Sequence, residues 1–583
     1  MAALKTRFQL LTLIACLCYV YGSFAQAQPQ VEVVIVGVSG EVEENIRLFL
    51  SIEQQKNQPL LNETRIRRLH AKAQQEIKTA LQPFGFYRPS IESSLTKIDD
   101  NQWQAHYAIN PGPPIPIRKL EVIISGDATY DPQFTEIVNN LPLKPGDAFD
   151  HRRYIDIKTR LAQLASEHGF FDARFTEHNV LVDLAAYHAD IQLKFESGRR
   201  YRYGEISLRQ EILYPSFLER YVPFKSGDPF NINDLIELQQ ALTDSNYFQD
   251  VEVSPAAQVS DTATIPVEAI LVPRKTHRYL FGLGYGTDTG ARAKAGWEVP
   301  RVNKNGHKFS AEAKVSELGY SLGGRYIVPI LDPRTDQLIY SGVVKHEELD
   351  TTISTIRSLG IGLNHGRGLW REILALNYQE EQYIIANVPG ESVLLMPGVN
   401  WQRTWGERIY TLDGLALDFG LKGASKDIVS DTEFLQMNAS VKGISRLSTV
   451  DRFIGRLRVG ATSTNEFDKL PASVRFFAGG SQSVRGYAYQ SLGPVDSSGN
   501  VVGGKYLFVG ALEYEHVLRG KWSAAVFFDK GNAINSFTDK LFSGAGVGLR
   551  WQSPIGSIRF DFAKALDLTG VPWRIHINIG PDL

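Results

Sequence analysis

From about residue 279 onward the chain alternates apolar and polar residues, and this period-two pattern constrains the fold more than any other feature. Near the end, Trp573, Ile575, Ile577 and Ile579 alternate with Arg574, His576 and Asn578. Upstream, Ile558, Phe560 and Phe562 alternate with Ser557, Arg559 and Asp561, and Trp522, Ala524, Val526 and Phe528 form another apolar set. Successive side chains of a strand point to opposite faces, so each segment supplies one apolar and one polar face. About sixteen such segments follow one another, separated by turn signals such as Asn303-Lys304-Asn305-Gly306 and Asp332-Pro333-Arg334. Aromatics crowd one face in strand after strand, which favours a lipid-facing exterior around a wet lumen over a soluble sandwich. The expectation is a 16-stranded antiparallel transmembrane β-barrel over residues 275–583.

The first residues assign a compartment. Lys5 and Arg7 precede an apolar run over residues 8–21, and Gly22-Ser23-Phe24-Ala25-Gln26-Ala27 supplies small residues for cleavage after Ala25 or Ala27. The lipoprotein-like box Leu13-Ile14-Ala15-Cys16 is overrun by the apolar residues that continue to Val20, so residues 1–27 read as a cleaved signal peptide. Cys16 and Cys18 are the only cysteines, and both lie within it. A thiolate nucleophile, a disulfide and a Cys-ligated zinc are thereby excluded from the mature chain. A net charge of -2 gives no electrostatic footing for nucleic acid. Past the signal no uncharged apolar run reaches about 18 residues, so any membrane passage rests on strands.

Between about residues 31 and 273 the pattern is mixed helix and strand, and it repeats. Gly85-Phe86-Tyr87, Gly169-Phe170-Phe171 and Asn246-Tyr247-Phe248 recur about 80 residues apart, each after a helical pattern and before a strand. Leu143-Lys144-Pro145-Gly146-Asp147-Ala148-Phe149 is echoed by Phe224-Lys225-Ser226-Gly227-Asp228-Pro229-Phe230. Asp150 is placed to cap a helix on which Tyr154, Ile157, Leu161 and Leu164 recur at helical spacing until Gly169 stops it. Each unit reads strand, helix, helix, strand, strand. The aromatic markers read as core packing, and the short sheets leave edges open to an added strand.

A Gly/Ser-rich gap of about forty residues interrupts the barrel pattern, and a loop of that length is either functional or disordered. It contains FFAGGSQSVRGY at 476–487, centred on Val484, Arg485, Gly486 and Tyr487. Downstream, the alternation puts Glu513 and Asp529 on the inward, polar face of two strands. One guanidinium, two carboxylates and flanking glycines point to a loop pinned inside something hollow.

Motifs that imitate enzyme sites lack their context. Gly319-Tyr320-Ser321-Leu322-Gly323 matches a nucleophile-elbow pattern, but strand-like residues continue through Val328. Gly282, Gly284 and Gly286 occupy alternate positions of a strand with no helix after them. His346-Glu347-Glu348 has no second histidine at zinc spacing, and Glu380-Glu381 reads as a solvated strand end. No enzyme, cofactor or metal is expected.

Three repeated modules, a C-terminal sheet of about sixteen strands and Val484-Arg485-Gly486-Tyr487 together resemble the BamA/TamA superfamily of outer-membrane assembly factors. The modules resemble POTRA domains, at 28–112, 113–197 and 198–274. Their number is that of the TamA branch. The resemblance implies an outer-membrane barrel with periplasmic POTRA domains and a role in inserting or secreting unfolded autotransporter-type clients. It also implies a TamB-like inner-membrane-anchored partner contacting the first module. Carried over by position, the motif arginine is Arg485 and its lumenal partners are Asp529 and Glu513, a pairing for which lysine lacks the bidentate fork. Gly486 allows the close turn and Tyr487 packs the loop tip.

Such a barrel needs a weak lateral seam, and its two closing strands fit. Gly282, Gly284 and Gly286 are expected at lumen-facing positions of the first, where glycine weakens a strand. The last carries Asn578 and ends at Gly580 and Pro581, and proline donates no ladder bond. A client strand could then add to the edge. The alternative is a two-partner-secretion-type pore for one exported polypeptide, which a neighbouring substrate gene would mark.

Overall fold

The computed structural model describes residues 29–58, 61–256, 263–286, 290–406, 411–553, 556–568, 570 and 573–580. The expected signal peptide and Pro581 lie outside the described residues.

Three small sheets precede one large one. In the first, β1 (Gln30–Val36), β2 (Ser90–Lys97) and β3 (Gln102–Asn110) take the order β1-β3-β2, with β1 parallel and β2 antiparallel to the central strand. The second repeats this with β4 (Ile117–Ser125), β5 (Arg174–Asp183) and β6 (His188–Glu196) in the order β4-β6-β5. The third has β7 (Arg202–Arg209), β8 (Phe248–Pro255) and β9 (Thr264–Pro273) in the order β7-β9-β8. Helices fall between the first and second strands of each. The helix Glu63–Leu81 turns Ile66, Leu69, Ala73 and Ile77 onto Val33, Trp103 and Ala105 of its sheet. In the second module the Asp150 carboxylate accepts the Arg152 N–H at 2.9 Å, and Tyr154, Ile157, Leu161 and Leu164 are buried, as their spacing predicts.

The sequence markers of the repeat turn out to be its joints. Gly85 sits at φ +82°, and a Cβ there would lie 2.3 Å from the carbonyl oxygen of Phe149 in the next module. Its own carbonyl accepts the Ile115 N–H at 2.8 Å. One repeat later Gly169, at φ +79°, would bring a Cβ to 2.8 Å from the Phe230 Cβ, and its carbonyl accepts from Tyr201 at 2.9 Å. Phe149 and Phe230 are the last residues of the second marker, so the glycine of one unit seats the aromatic of the next. At the third marker Tyr247 donates its hydroxyl to the Gly306 carbonyl at 2.5 Å, in the second turn of the large sheet. Lys308 Nζ donates to the Ser245 carbonyl at 2.7 Å, and Arg334 pairs with Glu237 at 2.6 Å. Residues 206–225 and 234–255 thus form one compact unit with the barrel.

The large sheet has sixteen strands in sequence order, every neighbouring pair antiparallel. Its first half comprises β10 (Arg278–Gly286), β11 (Gly290–Val299), β12 (Lys308–Ser316), β13 (Gly319–Pro329), β14 (Gln337–Glu348), β15 (Thr352–Arg367), β16 (Trp370–Ile385) and β17 (Val388–Trp405). The second comprises β18 (Gly414–Ala424), β19 (Phe434–Arg446), β20 (Asp451–Ser463), β21 (Tyr506–Arg519), β22 (Trp522–Ile534), β23 (Phe542–Ser553), β24 (Gly556–Ala565) and β25 (Arg574–Gly580). The alternation explains the surface: Tyr279, Phe281, Leu283 and Tyr285 of β10 are all exposed on the outer face, which turns Gly282 and Gly284 inward. Gly319–Ser321 lies inside the continuous strand β13, with no nucleophile elbow. Among the described residues no hydrogen-bonded register joins β10 to β25, although the two come within 8 Å. The sheet therefore curls to a barrel that stops short of ladder closure.

Candidate functional site in the barrel lumen

Residues 464–505 link β20 to β21 at the end of the barrel opposite the turn that receives Tyr247, and they fold back into the lumen. Local bridges shape the loop: Phe476 pairs with Gly504, and Ala478 with Leu492. Ala478, Val484, Tyr487 and Leu492 then pack against Leu507, Val509 and Ala533 of the barrel wall. This apolar seat delivers Arg485 to the inner face, where it is 2% exposed.

Register explains why carboxylates meet it there. Glu513 on β21 lies opposite Phe527 of β22, whose next inward residue is Asp529. Arg485 binds Asp529 through both ends of its fork, Nε to Oδ2 at 2.7 Å and Nη2 to Oδ1 at 2.8 Å, and its backbone N–H adds a third bond at 3.0 Å. Nη1 donates to Glu513 at 2.8 Å and to Asp561 at 3.2 Å. The guanidinium carbon stands 3.4 Å from the centroid of the Phe527 ring.

Two members of this network were not singled out from sequence. Asp561 on β24 and Arg550 on β23 are both nearly fully buried. Arg550 donates to Glu513 at 2.7 Å and reaches Asp561 at 2.6 Å, so two arginines and three carboxylates share one enclosed site. The signal was in the glycines of β23. A Cβ on Gly544 would lie 2.0 Å from the Arg485 carbonyl oxygen, one on Gly546 would lie 2.6 Å from Phe527 Cζ, and one on Gly548 would lie 2.3 Å from Arg550 Nη1. Alternating glycines hollow this strand to receive the cluster.

The rest of the motif is fixed as tightly. Gly486 is at φ +94°, and a side chain is excluded there because a Cβ would sit 2.6 Å from the Lys564 carbonyl carbon. Its N–H donates to His576 Nε2 at 3.2 Å. The Tyr487 hydroxyl donates to the Ser543 carbonyl at 3.2 Å, and Val484 is fully buried. Ser481 and Gln482 each approach Asn578 Oδ1 at 3.4 Å, so the loop touches the last strand at two points. Gly580 pairs with Ser557 and Gly286 with Gly290. A second anchor lies across the lumen, where Glu381 accepts from Ser354 and from Ser473 of the loop. Glu381 is 1% exposed, which corrects its reading as a solvated strand end. The alternation hid this because Glu380 faces outward while its neighbour faces the loop.

Residues 407–580 match the Omp85 superfamily domain, and residues 32–111 match the first POTRA domain of TamA. The second half of the barrel is thus similar to the Omp85 superfamily domain. Outer membrane protein assembly factor BamA of Nitratidesulfovibrio vulgaris is 32% identical over 148 residues, 24% of this chain and 19% of the relative. The BamA of Buchnera aphidicola is 24% identical over 182 residues, 30% of this chain and 28% of the relative. The matches thus span less than a third of these relatives. In fold, the chain resembles BamA from Haemophilus ducreyi lacking POTRA domains 1–3, with TM-score 0.63 at 17% identity, covering 80% of this chain and 98% of that one. The sixteen-stranded barrel and the POTRA match place the barrel in the outer membrane with the POTRA domains in the periplasm, so the loop over 464–505 enters the lumen from the extracellular side.

Proposed function

We propose that this protein is a TamA-type assembly factor that promotes insertion and secretion of autotransporter-type clients through its lateral seam. The observation that carries the reading is the unladdered approach of β10 and β25, which leaves strand edges for β-augmentation. The TamA-type match of the first module supports the branch. On this reading Val484, Arg485, Gly486 and Tyr487, with Glu513 and Asp529, form a latch; Gly282, Gly284, Gly286, Asn578, Gly580 and Pro581 belong to the seam. A TamB-like inner-membrane-anchored partner docks on the first module. The POTRA domains then run over 28–112, 113–197 and 198–274, and the barrel over 275–583.

The mature chain carries no native cysteine, so Gly284→Cys can be paired with single cysteines scanned over 576–580 until one oxidises to a crosslink. In liposomes, the locked protein should fail to insert an unfolded autotransporter β-domain and recover on reduction. Full insertion by the oxidised form would refute the seam. A secretion pore, by contrast, would conduct ions readily in planar bilayers and keep that conductance when locked.

A further inference from the structure

Residues paired across neighbouring antiparallel strands share a face. Leu512 of β21 pairs with Phe528 of β22, Phe528 with Ala545 of β23, and Val547 of β23 with Phe562 of β24. Leu512, Phe528, Val547 and Phe562 are exposed, so this is the lipid-facing surface. One same-face step beyond Phe528 toward the extracellular end stands Lys530, and one step beyond Phe562 stands Lys564. Both lysines are exposed on the side that should meet lipid.

Neither is neutralised. Lys530 is flanked in register by Gly510 and Ser543, and Lys564 by Ala545. Among the described residues neither ammonium has a hydrogen-bond or ion-pair partner. The contrast with other cations is direct. Arg357, also outward on β15, has a carboxylate residue, Glu380, opposite it in register without an ion pair, and Lys540 in the adjoining turn pairs with Asp567 at 3.1 Å. An unpaired lysine on a barrel's lipid face is costly at the midplane and nearly free of cost at the interface. These two therefore belong at the boundary of the outer leaflet, where a long stem reaches polar headgroups.

Their spacing makes a receptor rather than two isolated charges. Strands β22 and β24 are separated by β23, and the two lysines are offset by one same-face step, which puts their Cα atoms about 12 Å apart. Between them β23 presents only Ser543 and Ala545, a low floor between two cationic arms. We propose that Lys530 and Lys564 bind the phosphorylated headgroup of an outer-leaflet glycolipid of the lipid A class, seated over Ser543 and Ala545. The charge complementarity selects an anionic lipid, and the lipid face excludes a lumenal ligand. β24 neighbours the last strand, so the bound lipid lies one strand from the seam. The proposal rests on the outer-membrane location and not on the assembly role.

Full-length protein, stripped of native lipid in detergent, is titrated with bisphosphorylated lipid A and with its dephosphorylated form, and binding is read by native mass spectrometry. The protein should prefer the phosphorylated lipid by about tenfold or more. Lys530→Gln/Lys564→Gln should abolish the preference, while Lys530→Arg/Lys564→Arg and Arg357→Gln should keep it. Heat-modifiable migration on a gel verifies the barrel in each variant. A preference retained by the double glutamine variant would overturn the proposal. Displacement of the lipid by millimolar inorganic phosphate would do so as well, because the ligand would then be a free ion.

Discussion

Gly486 donates its backbone N–H to Nε2 of His576 at 3.2 Å, and this bond runs from the loop motif to the last strand of the barrel. Arg485, the preceding residue, is held by carboxylates on β21, β22 and β24. One loop tip therefore ties together four strands, including β25, which lies beside β10 without a ladder. The loop motif and the last strand are mechanically connected.

That connection is open to test at His576, whose Nε2 must lack a proton to accept this bond. His576→Ala should release Gly486, and hydrogen exchange over 476–490 and in β25 should speed up about tenfold, the equivalent of one buried hydrogen bond. His576→Gln, which retains an acceptor, should recover part of the protection. Unchanged exchange in His576→Ala would mean that the loop holds without the last strand.

At Arg485 the expected cost is larger. Removing one partner from a buried ionic network leaves the others uncompensated, at about 3–5 kcal/mol. Arg485→Ala should lower the heat-modification midpoint clearly, and Arg485→Lys should not restore it, because an ammonium cannot bridge both Asp529 oxygens while reaching Glu513. A swap to Arg485→Asp with Asp529→Arg should recover some stability; no recovery would place the energetics in the wider cluster with Arg550 and Asp561.

The glycines of β23 should behave as members of the site. Gly544→Ala would put a methyl 2.0 Å from the Arg485 carbonyl oxygen, whereas at Gly342, also within the barrel, the nearest atom is Leu359 Cδ2 at 3.5 Å. Gly544→Ala is expected to mimic Arg485→Ala in the heat-modification assay, and Gly342→Ala to leave the midpoint close to that of the parent. Equal tolerance at the two positions would remove the idea of a hollowed strand.

How far the site could be read from sequence depended on whether its parts obeyed the period of a strand. Glu513 and Asp529 fell on the inward face by simple alternation, so their meeting with Arg485 was legible. Asp561 obeys the same alternation, but its sequence neighbours gave no reason to prefer it over Arg559. Arg550 follows the lumenal glycines of β23, a cradle whose meaning appears only when the neighbouring strand and loop are in place. Glu381 was misread because faces are assigned residue by residue, and a paired motif straddles both. In the modules, element order followed from helical spacing and turn markers, yet the function of those markers as joints did not, since a glycine's clash partner about sixty residues away is set by tertiary packing.

Those joints supply a last prediction, in the periplasmic half. Gly169 and Gly227 both adopt positive φ, +79° and +91°, so alanine at either costs about 1–2 kcal/mol of backbone strain. Only at Gly169 would the added methyl also collide, 2.8 Å from the Phe230 Cβ; around Gly227 nothing lies within 4 Å. Gly169→Ala should therefore loosen the joint between the second and third modules, and Gly227→Ala should not. Limited proteolysis of the full chain reads the difference: cleavage near 198–201 should rise about tenfold in the first variant, from about 1.4 kcal/mol of added opening. If both variants are cut at the same rate, the paired glycine and phenylalanine are not what couples one module to the next.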